Sequence, residues 1–148
     1  RVDTVSIHDA HLLYRERDDG TERWGEVAFD QLNGLFLGIT NELGAIEGTP
    51  EITGTLKATL FDKAPIEITY SAQLDGSENF VINATATDLP VVLLNDVTRP
   101  LARLQMDAGL LKRLYLHMEG DNIKAHGKLA LSYTDLKARV EPGTAREK

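Results

Sequence analysis

Period-two alternation of apolar and polar residues runs through most of this chain and restricts it to sheet. From Ile66 through Ile68, Tyr70, Ala72 and Leu74, every even position is apolar and every odd one is polar. Successive side chains of a strand point to opposite faces, so this segment has one face to bury and one to wet. Phe80, Ile82, Ala84 and Ala86 repeat the pattern on even positions after the turn signal Asp75-Gly76-Ser77. A two-residue loop there would set the two apolar sets on opposite faces of the sheet. An odd loop, 75–77 or 75–79, keeps them on one face and is the expected one.

A second hairpin has the opposite parity. Leu114, Leu116 and Met118 precede Gly120-Asp121, and Ile123, Ala125, Gly127, Leu129, Leu131 and Tyr133 follow it. A two-residue type II′ turn at Gly120-Asp121 pairs Glu119 with Asn122 and Met118 with Ile123, so the apolar faces coincide. Leu136, Ala138 and Val140 then fall on even positions, which places a bulge near Thr134-Asp135. Upstream, residues 5–7, 12–14, 24–29, 34–40 and 51–61 read as further strands, with loops at 17–21 and 44–50. One segment reads as a helix, with Asp88 as N-cap, Pro90 early, then residues 91–97, and Pro100 as the stop. The expectation is one β-rich domain over residues 1–140, a disordered tail over 141–148, and about eight antiparallel strands in a curved sheet. Such a sheet forms an open trough or half-barrel, or folds over itself as a sandwich.

Composition removes several classes of function. A chain of 148 residues with 42% hydrophobic and 26% charged residues is ordinary for one folded domain. With no cysteine, disulfides and thiolate chemistry are excluded. The longest apolar run, Val91-Val92-Leu93-Leu94, is far short of the roughly 20 residues that cross a bilayer as a helix. A start at Arg1, with no basic-then-apolar leader, is what a segment excised from a longer protein would show. The net charge of −7 disfavours nucleic acid as a partner. Residues 1–98 carry 6 Lys+Arg against 17 Asp+Glu, whereas residues 99–148 carry 10 against 6. The second stretch, including Arg99, Arg103, Lys112, Arg113, Lys124, Lys128, Lys137 and Arg139, offers either a headgroup clamp or a plainly solvated face.

Chemistry-bearing constellations are scarce. His8 and His11 share a strand face only if a turn intervenes at Asp9-Ala10. His117 and His126 share a face beside Glu119, but Lys124 and Lys128 on that face oppose a cation. Asp18-Asp19 reads as loop, and no Gly-x-Ser-x-Gly or phosphate-cradling glycine loop occurs. Asn83-Ala84-Thr85 matches a glycosylation sequon. The expectation is a chain that is not an enzyme and takes no metal or cofactor.

The apolar face carries more information. It comprises Leu56, Ala58, Leu60, Ile66, Ile68, Tyr70, Leu74, Phe80, Ile82, Leu114, Leu116, Met118, Leu129 and Leu131. One ten-residue helix cannot cover a face of that size. Either a second layer of the same sheet closes on it as a protein core, or it stays open and is filled by a ligand or neighbouring chain.

Two stretches together resemble a known family. One runs from Val5-Ser6-Ile7-His8-Asp9-Ala10-His11-Leu12-Leu13-Tyr14-Arg15-Glu16 to Gly25-Glu26-Val27-Ala28-Phe29-Asp30-Gln31-Leu32. The other contains Met106-Asp107-Ala108-Gly109-Leu110-Leu111-Lys112-Arg113-Leu114, Gly120-Asp121-Asn122, His126-Gly127-Lys128-Leu129 and Tyr133-Thr134-Asp135-Leu136-Lys137. They resemble the opening and closing segments of AsmA-like, DUF748-type proteins of the bacterial envelope. The resemblance implies a single-sheet trough of the bridge-like lipid transfer group, with a role in outer-membrane biogenesis and phospholipid transport. It also implies a periplasmic location, a parent protein anchored in the inner membrane, and phospholipid acyl chains or neighbouring repeats as partners. The competing expectation is a self-contained β-sandwich used for adhesion, carbohydrate binding or scaffolding.

Overall fold

The alternation is realised as seven antiparallel strands, each paired with the next in chain order, in a single sheet. The computed structural model describes residues 3–20, 22–40 and 50–142. The strands are β1 (Thr4–Arg17), β2 (Trp24–Leu37), β3 (Glu51–Leu60), β4 (Ala64–Gln73), β5 (Phe80–Pro90), β6 (Leu104–Gly120) and β7 (Ala125–Val140). A 3-10 turn (Val91–Leu94) runs into helix α1 (Asn95–Ala102) between β5 and β6. There is one sheet and therefore no sandwich among the described residues. The expected loop at 44–50 falls, apart from Pro50, outside them, as does the tail beyond Pro142.

The strand count is seven rather than about eight because bulges join segments that read as separate. Residues 5–7 and 12–14 belong to one strand, β1, whose register against β2 shifts between Ile7 and Leu12 around Asp9 (φ 45°). Residues 24–29 and 34–37 are likewise one strand, interrupted at Gln31 (φ 51°). Asn33 ties the two bulges together. Its Nδ2 donates to the Gln31 carbonyl at 2.8 Å, and its Oδ1 accepts the Asp9 N–H at 3.1 Å. Each bulge inserts one residue and so moves the apolar set from odd to even positions without moving it to the other face. The bulge expected near Thr134-Asp135 is present, with Asp135 at φ 52° opposite Gly109 at φ 130°. A Cβ on Gly109 would lie 2.8 Å from the Leu136 Cα, so only glycine fits there.

The β4–β5 register is even-to-even, with Tyr70 opposite Ile82 and Ala72 opposite Phe80, as an odd loop requires. The β6–β7 turn differs from expectation. Met118 faces Gly127 and Gly120 faces Ala125, which leaves a four-residue turn, 121–124, in place of a two-residue one. The cause is Asp121, whose Oδ1 accepts the N–H groups of Ile123 (2.8 Å) and Lys124 (2.9 Å) and closes a wider loop. The shift of four preserves parity, so the apolar faces still coincide, but Ile123 sits in the turn at 87% exposure.

The helix is also placed differently. Asp88 is not an N-cap; it is a left-handed residue (φ 55°) inside β5, and the ladder continues through Leu89, opposite Leu111. Pro100 does not stop α1 but lies within it, two residues short of its end at Ala102. The stop is Arg103, left-handed at φ 52°, with its N–H on the Arg99 carbonyl.

Helix α1 packs against β2 and β6 on one face of the sheet. Val91 of the 3-10 turn packs with Leu60, Ala64, Ile66, Ala84, Ala86, Leu89 and Leu111 of the sheet to form the buried core. The sheet must curl strongly at this end. Arg23, just before β2, lies 3.8 Å from Glu141, just after β7. In a flat sheet those positions are five strand spacings, about 24 Å, apart.

Candidate functional site

The concave face is built from transverse rows, one residue per strand, that can be followed across the ladder. One row runs Val5, Phe36, Gly54, Tyr70, Ile82, Met118, Gly127. The next runs Ile7, Gly34, Leu56, Ile68, Ala84, Leu116, Leu129. Towards the turns lie Ile52, Ala72, Phe80, Gly120 and Ala125. Towards the helix lie Ala58, Ile66, Ala86, Leu114 and Leu131, and then Leu60, Ala64, Leu89, Leu111 and Tyr133. None of these positions carries a charge, and tyrosine hydroxyls are their only polar side-chain groups.

The rows differ in cover. Under the helical segment Ala86 and Leu89 are at 0% exposure, while at the open edges Leu129 reaches 59% and Leu131 49%. Phe80, Tyr70, Ile82, Ile68, Leu116 and Met118 are half-buried by one another. Phe36 and Leu56 lie flat across neighbouring strands, where a Cβ on Gly54 or Gly34 would collide with them. The result is a groove whose floor is side chain and whose outer rows no described residue roofs over.

The opposite face takes the charge. Lys57 pairs with Glu67 (3.1 Å), Arg15 with Glu26 (2.7 Å), and His11 Nδ1 with Asp30 (2.7 Å). The Asp9 bulge puts His8 and His11 on this same face, but among the described residues no cluster of three metal-ligating side chains forms. His117 faces Lys128 across the ladder, and Glu119 faces His126. The His117 Nδ1 sits 2.7 Å from the Asn83 Oδ1, which also accepts the Tyr115 hydroxyl at 3.2 Å. Asn83, the sequon residue, is thereby held within a polar network of the convex face. At the two turns, Asp75 and Asp121 are held below the usual carboxylate range, Asp75 chiefly by Ser77 and Asp121 by the Ile123 and Lys124 N–H groups.

Most of the apolar positions expected from the sequence do meet on this face: Leu56, Ile68, Tyr70, Phe80, Ile82, Leu114, Leu116, Met118, Leu129 and Leu131. Two do not belong to the open part: Leu60 and Ile66, both 7% exposed, are closed over within the buried core. Leu74 sits one residue past the end of β4, its N–H on the Pro50 carbonyl one position beyond the Glu51–Gln73 pair. Sequence reading missed Val5, Ile7, Leu12, Phe29, Leu32 and Phe36, because the bulges at Asp9 and Gln31 break their alternation. The signal that marks them is a short polar residue interrupting an otherwise periodic strand.

No helix among the described residues is long and apolar enough to cross a membrane. In comparisons with family models, curated proteins and solved structures, nothing matches this chain.

Proposed function

We propose that this chain is a non-enzymatic lipid-handling segment whose concave face holds acyl chains. The observation that carries the reading is the set of uninterrupted, uncharged rows left open beyond the helical segment, beside a convex face that takes the ion pairs. A hydrocarbon tail gains about 0.8 kcal/mol per methylene buried on such a surface, and no polar partner is needed. The resemblance to AsmA-like envelope proteins adds a setting: the periplasm, phospholipid transport linked to outer-membrane biogenesis, and a membrane-anchored parent protein with neighbouring repeats.

Native mass spectrometry of protein purified from a bacterial host under gentle extraction tests this reading. Bound phospholipid is expected on the unaltered chain. Ile82→Glu, in an open row, should reduce the load, whereas Thr87→Glu on the convex face, opposite Arg113, should not. Absence of bound lipid, together with no response from a dye that reports exposed apolar surface, would contradict the proposal.

A further inference from the structure

We propose that the first half of β2 and helix α1 form a peptide-docking groove, in which a basic segment of another chain pairs as an added strand with the free edge of Trp24–Val27. The groove lies at an edge of β2 and not on the concave rows, so it stands or falls independently of the lipid reading.

β2 outruns one of its neighbours. It pairs with β1 from Trp24, opposite Arg17, to Leu37, opposite Thr4. With β3 it pairs only from Phe29 onward, because β3 ends at Leu60 and the chain turns away through Phe61 and Asp62 (φ 51° and 54°). Two hydrogen bonds fix which backbone groups this leaves over. The Asp18 N–H donates to the Arg23 carbonyl at 2.9 Å, so Arg23, Gly25 and Val27 bond towards β1. The Phe61 N–H donates to the Ala28 carbonyl at 3.0 Å, so Ala28, and with it Trp24 and Glu26, direct their backbone groups the other way. Among the described residues no strand meets Trp24–Val27 on that side. From Trp24 to Ala28 the edge measures about 14 Å, the length of a strand of about five residues.

Helix α1 turns this edge into a groove. Leu101 packs over Gly25, where a Cβ would lie 2.7 Å from its Cδ1, and so holds the helix beside β2. Asn95, Asp96, Arg99 and Pro100 form one wall and Trp24 and Glu26 the other, around about 490 Å³. A strand edge flanked by a helix suits an extended peptide, whose main-chain bonds supply affinity and whose alternate side chains supply specificity.

The charges select a basic peptide. Three carboxylates, of Glu22, Glu26 and Asp96, line the groove against two guanidiniums, of Arg23 and Arg99. Both guanidiniums are drawn to Glu141, at 3.8 and 2.7 Å. Asp96 is exposed and makes no ion pair among the described residues. Trp24 stays 48% exposed although the Arg15 guanidinium sits 4.9 Å from the centre of its ring. A lysine or arginine of an added strand would meet Asp96 with its charge and the indole with its stem.

Trp24 is the only tryptophan of the chain, so its fluorescence reports on the groove directly. The test titrates the peptide acetyl-Thr-Lys-Val-Lys-Thr-amide into the full chain. A saturable change in emission is expected, and a peptide with glutamate in place of both lysines should bind at least about tenfold more weakly. N-methylation of alternate backbone nitrogens should abolish binding in one phase and spare it in the other, because only one set of a strand's N–H groups faces its neighbour. Asp96→Asn should weaken the lysine peptide about threefold. No saturable change, equal affinity for the two peptides, the same response to both methylation phases, or an Asp96→Asn chain that binds unchanged would overturn the proposal. So would binding seen only after truncation at Pro142, which would give the groove to the chain's own residues 143–148. Emission that shifts with protein concentration alone would give it to a second copy and overturn the proposal as well.

Discussion

Leu116 and His117 are chain neighbours with opposite duties, and they test the assignment of faces one residue at a time. Leu116 packs against the core on the concave side, while His117 meets Asn83 on the convex side. Leu116→Asp places an unpaired charge among apolar neighbours and should cost about 3 kcal/mol or more by chemical denaturation. His117→Asp gives up one exposed-face hydrogen bond and should cost about 1 kcal/mol. Equal losses would mean the register is wrong. Asp121 supports a second prediction at this scale. Its pKa is depressed in the folded chain by the Ile123 and Lys124 N–H groups, so its stabilising contribution is present above the ordinary carboxylate range. That contribution is lost as pH falls through the lower folded value. Asp121→Asn should therefore flatten the fall in thermal stability on acidification below about pH 4, and an unchanged acid profile would contradict that role.

At the scale of elements, the bulges decide how the strands are read. Gln31 holds a left-handed backbone in the middle of β2. Ordinary strand preference ranks valine above glycine. At Gln31 the order should reverse, because a left-handed L-residue costs about 1–2 kcal/mol and a β-branched one more. Gln31→Gly should change stability by less than about 1 kcal/mol, and Gln31→Val should destabilise more than that, as read by urea unfolding. The same physics explains what was legible beforehand. β4, β5 as far as Thr87 and the outer half of β6 alternate without interruption, so their faces and even their loop parity follow from the residues alone. β1 and β2 each hide a one-residue insertion, and insertion looks like a loop when no partner strand is visible. The β6–β7 turn misled for a different reason: Gly120-Asp121 carries a two-residue turn signal, but the Asp121 side chain closes a four-residue loop. The half of the site on β1 and β2 was lost to the first cause, and Ile123 was misplaced by the second. Closure over Leu60 and Ile66 depends on where a helix lands, which alternation does not encode.

For the whole molecule, curl and charge partition go together. The sheet wraps far enough at the α1 end for Arg23 to meet Glu141, and its ion pairs stand on the convex face or at the ends. Because the open rows carry no charge, ligand affinity should change little as salt is raised through a Debye length of about 10 Å to 3 Å. A steep fall, followed by titration calorimetry at two ionic strengths, would instead assign recognition to the basic residues of β6 and β7. The central claim, that hydrocarbon lies on the concave rows, is tested most directly by methyl NMR with a fatty acid carrying a spin label in its tail. Ile68, Ile82, Leu56 and Leu116 methyl signals should broaden, while those of Leu13, Leu35 and Leu37, which are exposed on the convex face, should not. Equal broadening on both faces, or none on the concave rows, would contradict the account.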